Sequence, residues 1–367
     1  MGRRRIAGAG LQAGTGSGPV PAQRVVQEAG RSRVTISDVA ARARVSKSAV
    51  SFVFNGRRGL SEATTERILR AADDLGWKPN ARARALSLDR PRSVGLVVGR
   101  HGVSPGACSD LAGFIDGVGT ALAATDTALV VRVVSSAAEE TGAYDRFVRE
   151  SQVDGILIVD LRTSDDRPAA LTALGLPFLV AEHVVAHADE WEGTAQAVRH
   201  LAAAGHERIA IVAETGTQRS ARRQKAFADE SRALGLSARV IGLTDPSPAS
   251  ARAATDRLLG FKAPPTGILY DTGLLASAGM GVIGRRGMRV PESLSVISLD
   301  DSSFALVTEP AITSVRRDAY AWGRACGLRL VALLGGDPVA EVELPPAELV
   351  VRASTAPPST TIHERSR

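Results

Sequence analysis

The sequence predicts a small all-α head joined to a two-lobed α/β core with parallel sheets, and three observations carry that prediction. Residues 34–75 hold three short apolar stripes at helical spacing, each opened by a residue suited to capping. From residue 93 onward, short apolar strands alternate with helical patterns, and the alternation runs through enough chain for two doubly wound lobes. The charge divides at the same place: residues 1–92 carry 18 Lys+Arg against 7 Asp+Glu, and residues 93–367 carry 27 against 32. A basic head on a mildly acidic body predicts a polyanionic partner for the head alone.

The head begins at Thr35, whose hydroxyl can accept backbone N–H groups while Asp38, three residues on, completes a capping box. Ile36, Val39, Ala40 and Ala43 follow at helical spacing. Arg44-Val45 breaks the pattern and Ser46 caps again. Val50, Val53 and Phe54 form the buried stripe of a second helix, which leaves Lys47, Ser48, Ser51 and Phe52 outside it. Asn55-Gly56 ends that helix with turn chemistry. Ser61 caps a third helix, with Ile68, Leu69, Ala72 and Leu75 toward the core. Two helices joined by a very short turn, the second with small polar residues at its start, have the geometry of a helix-turn-helix, which enters the DNA major groove N-terminus first. The same pattern fits an ordinary three-helix bundle.

The text of the motif separates these two readings. Residues 38–56, DVAARARVSKSAVSFVFNG, followed by KPNARARALS at 78–87, closely resemble the lactose/galactose repressor family over more than fifty residues. The resemblance implies a DNA-binding headpiece over 34–79 and a hinge helix with linker over 80–92. Lys47, Ser48 and Phe52 stand at the family's base-reading positions. Lys47 can donate to guanine O6/N7 and Ser48 can serve several base edges. Phe52 replaces the family's usual Arg and cannot donate, so it contacts a thymine methyl or packs. Thr35, Ser46, Ser51, Asn55, Ser61 and Thr64 suit phosphate contacts, which position without reading sequence. In the hinge, Asn80, Arg82 and Arg84 accompany Leu86, which stands where the family wedges a leucine into the minor groove. The implied partners are a pseudo-palindromic double-stranded operator and a second copy of the chain.

In the core, strands are expected at 93–99, 128–134, 155–159, 177–181, 209–212, 238–243, 267–270 and 295–299. Helices are expected at 110–124, 144–151, 168–174, 192–204, 222–234, 250–259 and 274–286. Ligands in such sheets sit at the carboxyl ends of the strands. The family resemblance continues, more weakly, through Ala204-Gly205-His206, Val290-Pro291-Glu292, residues 295–302, 312–316 and 349–355. It implies a core like a periplasmic sugar-binding protein spanning 93–356, with crossovers near 186, 314 and 336. One lobe would then take 93–186 and 315–336, and the other 187–314 and 337–356. Residues 1–33 and 357–367 read as a disordered basic extension and a disordered tail. Three positions match family ligand contacts: Arg223, Asp271 and Asp300. An Arg fork donates to hydroxyls or a carboxylate, and Asp accepts from vicinal hydroxyls. Departures accompany them: Tyr270 replaces an Asn, Ala226 a Gly, and Asp110-Leu111 an aromatic pair. The implied effector is a small, sugar-like molecule, although aromatic content is only 4%. Trp191 and Trp322 are the remaining large rings, each read as core or rim.

Other classes lack support in the residues. The two cysteines, Cys108 and Cys326, form neither a CxxC pair nor a disulfide framework, which points to a reducing compartment, and the family resemblance implies a cytoplasmic protein at the nucleoid. No apolar run approaches the ~20 residues a membrane span needs. His183 and His187 lie four apart at a strand end without a third ligand, and adjacent Asp300 and Asp301 point opposite ways if on a strand. No metal or cofactor is expected. His206 reads as structural. There is no GxSxG, P-loop or HExxH, so an α/β enzyme has no visible catalytic constellation. A transporter's solute-binding protein would lack the DNA-type head.

Overall fold

The computed structural model describes residues 34–54, 59–77, 93–99, 109–184, 188–337 and 344–359. The chain divides into two units, 1–88 and 89–367.

In the first unit, α1 spans Ile36–Ala43, α2 Lys47–Phe54 and α3 Glu62–Asp74. The expected caps are present. Thr35 N and Oγ1 both donate to Asp38 Oδ2 at 2.7 Å, and the Thr35 backbone hydrogen bond above all holds the Asp38 carboxyl below its ordinary range. Ser46 Oγ accepts from Ala49 N at 3.1 Å, and Ser61 Oγ from Thr64 N at 3.3 Å. Arg44, at φ 51, ends α1 in the left-handed region, so α2 starts three residues later. Val39, Ala43, Val50, Ile68, Ala71 and Ala72 pack as one core, closed by an edge-on contact of Phe54 with Trp77 at 5.1 Å. Leu69, expected in this core, is 46% exposed. Ala71 faces inward instead, because 68, 71, 72 and 75 share a helical stripe and 69 lies about 100° from 68.

The second unit opens with β1 (Ser93–Gly99), α4 (Ser109–Ala123), β2 (Ala128–Val134), α5 (Ala137–Arg149), β3 (Gly155–Ile158), α6 (Arg167–Ala173) and β4 (Phe178–Val180). These strands form a parallel sheet in the order β2-β1-β3-β4. After a 3₁₀ turn at Ala181–His183, the second lobe follows: α7 (Ala188–Ala203), β5 (Arg208–Glu214), α8 (Gln218–Ala233), β6 (Ser237–Leu243), α9 (Pro248–Leu259), β7 (Gly267–Tyr270), α10 (Gly273–Arg285), β8 (Ser295–Ser298), α11 (Ser303–Val307) and β9 (Thr313–Arg316). The chain then returns to the first lobe as α12 (Ala319–Gly335) and ends in the second with β10 (Glu348–Val350). The second sheet runs β10-β9-β8-β7-β5-β6, and only β10 is antiparallel.

Alternation along the strands explains the helices on both faces. Val94, Leu96 and Val98 join α4 and α12 in one core, whereas Val97 joins Phe147 of α5 in another. In the second lobe Ala210 and Val212 face α9 and α10, and Ile209, Ile211 and Ala213 face α7 and α8. Strands covered on both sides read as continuous apolar runs. α4 and α12 approach so closely that a Cβ on Gly117 would meet the Tyr320 carbonyl oxygen, and one on Gly323 the Phe114 carbonyl oxygen. β9 stays in the second sheet through Arg316, two residues past the boundary drawn at 314, because Arg316 still pairs with Glu348.

Candidate functional site

Helical geometry sorts the residues of α2 into two faces. Val50 is fully buried and Ala49, Val53 and Phe54 are partly buried against α1 and α3. Lys47, Ser48 and Phe52 are exposed on the opposite arc, and Ser51 is half-buried between them. Thr35, Ser46 and Ser61 act as helix caps, and Thr64 Oγ1 lies 2.9 Å from Ser61 Oγ. Asn55 and the hinge residues Asn80, Arg82, Arg84 and Leu86 lie outside the described residues.

The second site is the cleft between the two lobes of the core, where the carboxyl ends of β1, β3, β5 and β7 converge on a cavity of ≈ 220 Å³. On the second lobe, Arg223 of α8 donates through Nη1 to Asp271 Oδ1 at 3.2 Å and through Nη2 to the Leu299 carbonyl at 3.2 Å. Asp271 Oδ2 accepts from Glu214 N at 2.5 Å, which fixes the carboxylate just past the end of β7. On the first lobe, Arg167 is clamped by Asp165 (2.6 Å) and Glu140 (3.1 Å) and donates to the Val159 and Asp160 carbonyls. Arg162 pairs with the other Glu140 oxygen, and Tyr144 donates its hydroxyl to Glu140 at 3.2 Å. Burial opposes ionisation of Asp165, but hydrogen bonds from Arg167 and the Arg162 backbone outweigh it and hold the carboxyl low.

The lobes also touch directly. Asp160, at φ 51, turns the chain beyond β3, and the following loop meets the loop after β5. Gln218 N donates to the Leu161 carbonyl at 2.7 Å, Thr163 N to the Gly216 carbonyl at 2.9 Å, and Arg162 pairs with Thr217 as an antiparallel bridge. The Arg219 guanidinium lies over the Trp322 ring at 5.1 Å. Glu214 borders the cavity with its carboxyl pushed up to about 7, chiefly by burial and then by Asp160 and Asp271.

Two family models match the chain: bacterial regulatory proteins of the lacI family over residues 35–80, and the periplasmic binding protein-like domain over residues 198–355. The chain is 32% identical over 330 residues to the HTH-type transcriptional regulator CelR of Thermobifida fusca, covering 86% of this chain and 96% of that one. The chain belongs to the lacI family of bacterial regulatory proteins. Among solved structures it resembles a CelR–cellobiose complex at 29% identity and TM-score 0.65, covering 88% of this chain and all of that one. The lac repressor dimer bound to operator and the anti-inducer ONPF shares the fold at 24% identity and TM-score 0.76, over 89% of this chain and 100% of that chain. The chain is thus a helix-turn-helix transcriptional regulator with a periplasmic-binding-protein-like core.

Against the family pattern, two of the three expected effector residues, Arg223 and Asp271, border the cavity. Asp300 is not among its lining residues. Its Oδ1 accepts from Gly273 N at 2.7 Å, Ser298 Oγ at 2.9 Å and Ser302 Oγ at 3.1 Å, so it anchors the N-terminus of α10 behind the cleft wall. Tyr270, in place of an Asn, is fully buried and bonds Thr255 in the core. Trp322 donates to the Ala181 carbonyl at 3.0 Å and packs tilted against Phe114, while Trp191 lies in an outer groove near Arg222 and Ala226. Leu111 reaches the cavity, and among the described residues no aromatic side chain lines it. Reading the sequence missed Glu140, Asp160, Arg162, Arg167, Glu214 and Arg219. Asp160 and Glu214 carried a usable signal, since each ends an apolar strand and strand ends carry ligands. Among the described residues, no three metal-ligating side chains converge, and no helix is long and apolar enough to cross a membrane.

Proposed function

We propose that the chain is a homodimeric repressor that places one headpiece on each half of a pseudo-palindromic operator and loosens or tightens its grip in response to an uncharged, polyhydroxylated effector in the interlobe cleft. The observation that carries this reading is the Arg223–Asp271 pair at a strand end, bordering a cavity in a chain that also bears a groove-reading face on α2. Among the described residues the cavity lining is close to balanced: Glu140, Asp160 and Asp271, with Glu214 only partly ionised near pH 7, face Arg162, Arg167, Arg219 and Arg223. A nearly neutral wall of donors and acceptors suits hydroxyls, each of which both donates and accepts, better than a highly charged ligand. Cellobiose, in the CelR complex, is a ligand of this chemistry.

In this reading Lys47, Ser48 and Phe52 read bases, Ser51, Thr64 and the cap residues approach phosphates, and Leu86 between Arg82 and Arg84 wedges the minor groove. The protein acts at the nucleoid. A thermal-shift panel of neutral sugars, sugar acids and amino sugars on the full chain tests the effector class. A neutral sugar should raise the melting temperature and change operator affinity in a fluorescence-anisotropy titration, and Arg223→Ala should lose both responses. Stabilisation by sugar acids alone, or a shift retained in Arg223→Ala, would overturn the assignment.

A further inference from the structure

We infer that Phe52 is a specificity-determining residue that selects, in the operator, a base carrying a C5 methyl group, normally thymine. The inference rests on the DNA-binding reading and deepens it. α2 carries two aromatic rings two residues apart, and they do opposite things. Phe54 turns inward to meet Trp77 edge-on at 5.1 Å and sits against the headpiece core. Phe52 remains 38% exposed on the same arc as Lys47 and Ser48. Phe52 thus lies outside the headpiece core, on the face that the second helix of a helix-turn-helix turns toward base edges.

The chemistry of those edges narrows the choice. Guanine presents two acceptors in the major groove, cytosine an amino donor, and adenine one of each, whereas thymine alone adds an apolar methyl. A ring with no donor or acceptor, pressed on guanine or adenine, would strip water from polar atoms and give nothing back. Pressed on thymine it buries a methyl group. Lys47, five residues earlier at the start of the helix, supplies the polar reading, so the exposed arc pairs one donor-led contact with one methyl-led contact. The two contacts differ in salt response: a phosphate or base contact by Lys47 is weakened by salt through ion release, and burial of a methyl is not.

The test uses the full chain and an operator selected from random duplexes. Each thymine is then replaced by uracil, which removes only the methyl. At one position in each half-site the substitution should weaken binding roughly fourfold, the scale of burying one methyl group. That loss should be the same at low and high salt and should vanish in Phe52→Ala, and 5-methylcytosine at that position should bind better than cytosine. Phe52→Arg should move the selected base there toward guanine. Uracil tolerated within twofold at every thymine, or equal sensitivity in Phe52→Ala, would overturn the assignment to Phe52 while leaving DNA binding intact. Failure to enrich any sequence would overturn the DNA-binding reading and this inference with it. Because Phe52 lies outside the headpiece core, the wild-type uracil scan and the melting curve of Phe52→Ala together separate lost contact from lost folding.

Discussion

Replacing Asp300 by Ala tests whether this residue builds the cleft or touches the ligand. In the folded chain its side chain is buried, and one oxygen gathers the Gly273 amide and the Ser298 and Ser302 hydroxyls. The two hydroxyls can rotate to other acceptors, but the Gly273 N–H, at the first turn of α10, cannot. A hydrogen bond to a charged acceptor contributes about 1.5–3 kcal/mol, and a carboxylate at a helix N-terminus adds about 0.3–1 kcal/mol. Asp300→Ala should therefore destabilise the core by roughly 2–4 kcal/mol, about 5–15 °C in melting temperature for a domain of this size. Effector affinity should fall too, because Thr272, Leu274 and Leu275, on and just before α10, border the cavity. Urea unfolding gives the first quantity, and titration with whichever sugar stabilises the parent gives the second. Asp300→Asn keeps an acceptor at the same place and should recover most of both. An Asp300→Ala protein melting within 2 °C of the parent would refute the anchoring role. An Asp300→Asn protein with parental melting but no effector binding would put the carboxylate on the ligand.

Other perturbations follow from the same geometry. Arg167→Met leaves Asp165 and Glu140 buried without their main cation and should cost about 3–5 kcal/mol in urea unfolding; a loss under 1 kcal/mol would show that solvent reaches the cluster. Gly323→Ala drives a methyl into the Phe114 carbonyl and should destabilise the core by about 1–3 kcal/mol or more, read as a lowered melting temperature. Burial lowers the pKa of both His200 and His206, so the stability their neutral rings give is whole above 6.5 and is lost as pH falls through the lowered values. His206→Gln should therefore flatten the acid limb of a melting-temperature profile. Glu214 works in the opposite sense: its neutral form is favoured, so stability declines as pH rises through about 7, and Glu214→Gln should remove that decline.

Local chemistry made the head legible. A cap is a contact between residues three apart, so Thr35 with Asp38, Ser46 with Ala49 and Ser61 with Thr64 could be read from spacing alone. The strands were legible because burial on both faces leaves unbroken apolar runs such as Ile209–Ala213. The cleft was half legible. Arg223 and Asp271 stand where the family pattern puts them, but nothing local distinguishes Glu140, within α5, from any surface carboxylate. It becomes part of the cavity only because α5 packs beside β3 and Arg167 reaches across from α6. Asp300 shows a related dependence: a motif fixes where a residue falls along the chain, while the direction of its carboxylate depends on partners such as the Gly273 amide on another element. Leu69 is a simpler case, an apolar residue one step off the helical stripe.

The contacts that join the two lobes on the cavity side are few, and their size bears on signalling. Two backbone hydrogen bonds tie residues 161–163 to 216–218 at about 0.5–1.5 kcal/mol each, and the Arg219 guanidinium over the Trp322 ring adds about 0.5–2 kcal/mol, so together they hold the lobes by roughly 1.5–5 kcal/mol. Each lobe meanwhile keeps one buried ion cluster to itself, Arg167 with Glu140 and Asp165 in one and Arg223 with Asp271 in the other. Separating the lobes thus strands neither of these ion clusters, and no large apolar interface must be opened along this loop pair. A coupling free energy between two sites is typically about 1–3 kcal/mol, the same scale as this clasp. A ligand spanning Asp160 on one lobe and Arg223 on the other can add that much differential affinity and shift the balance of lobe arrangements. Had Glu140 paired across the cleft instead of with Arg167, breaking a buried ion pair would have opposed every opening by several kcal/mol, and a sugar-sized ligand could not have moved the equilibrium.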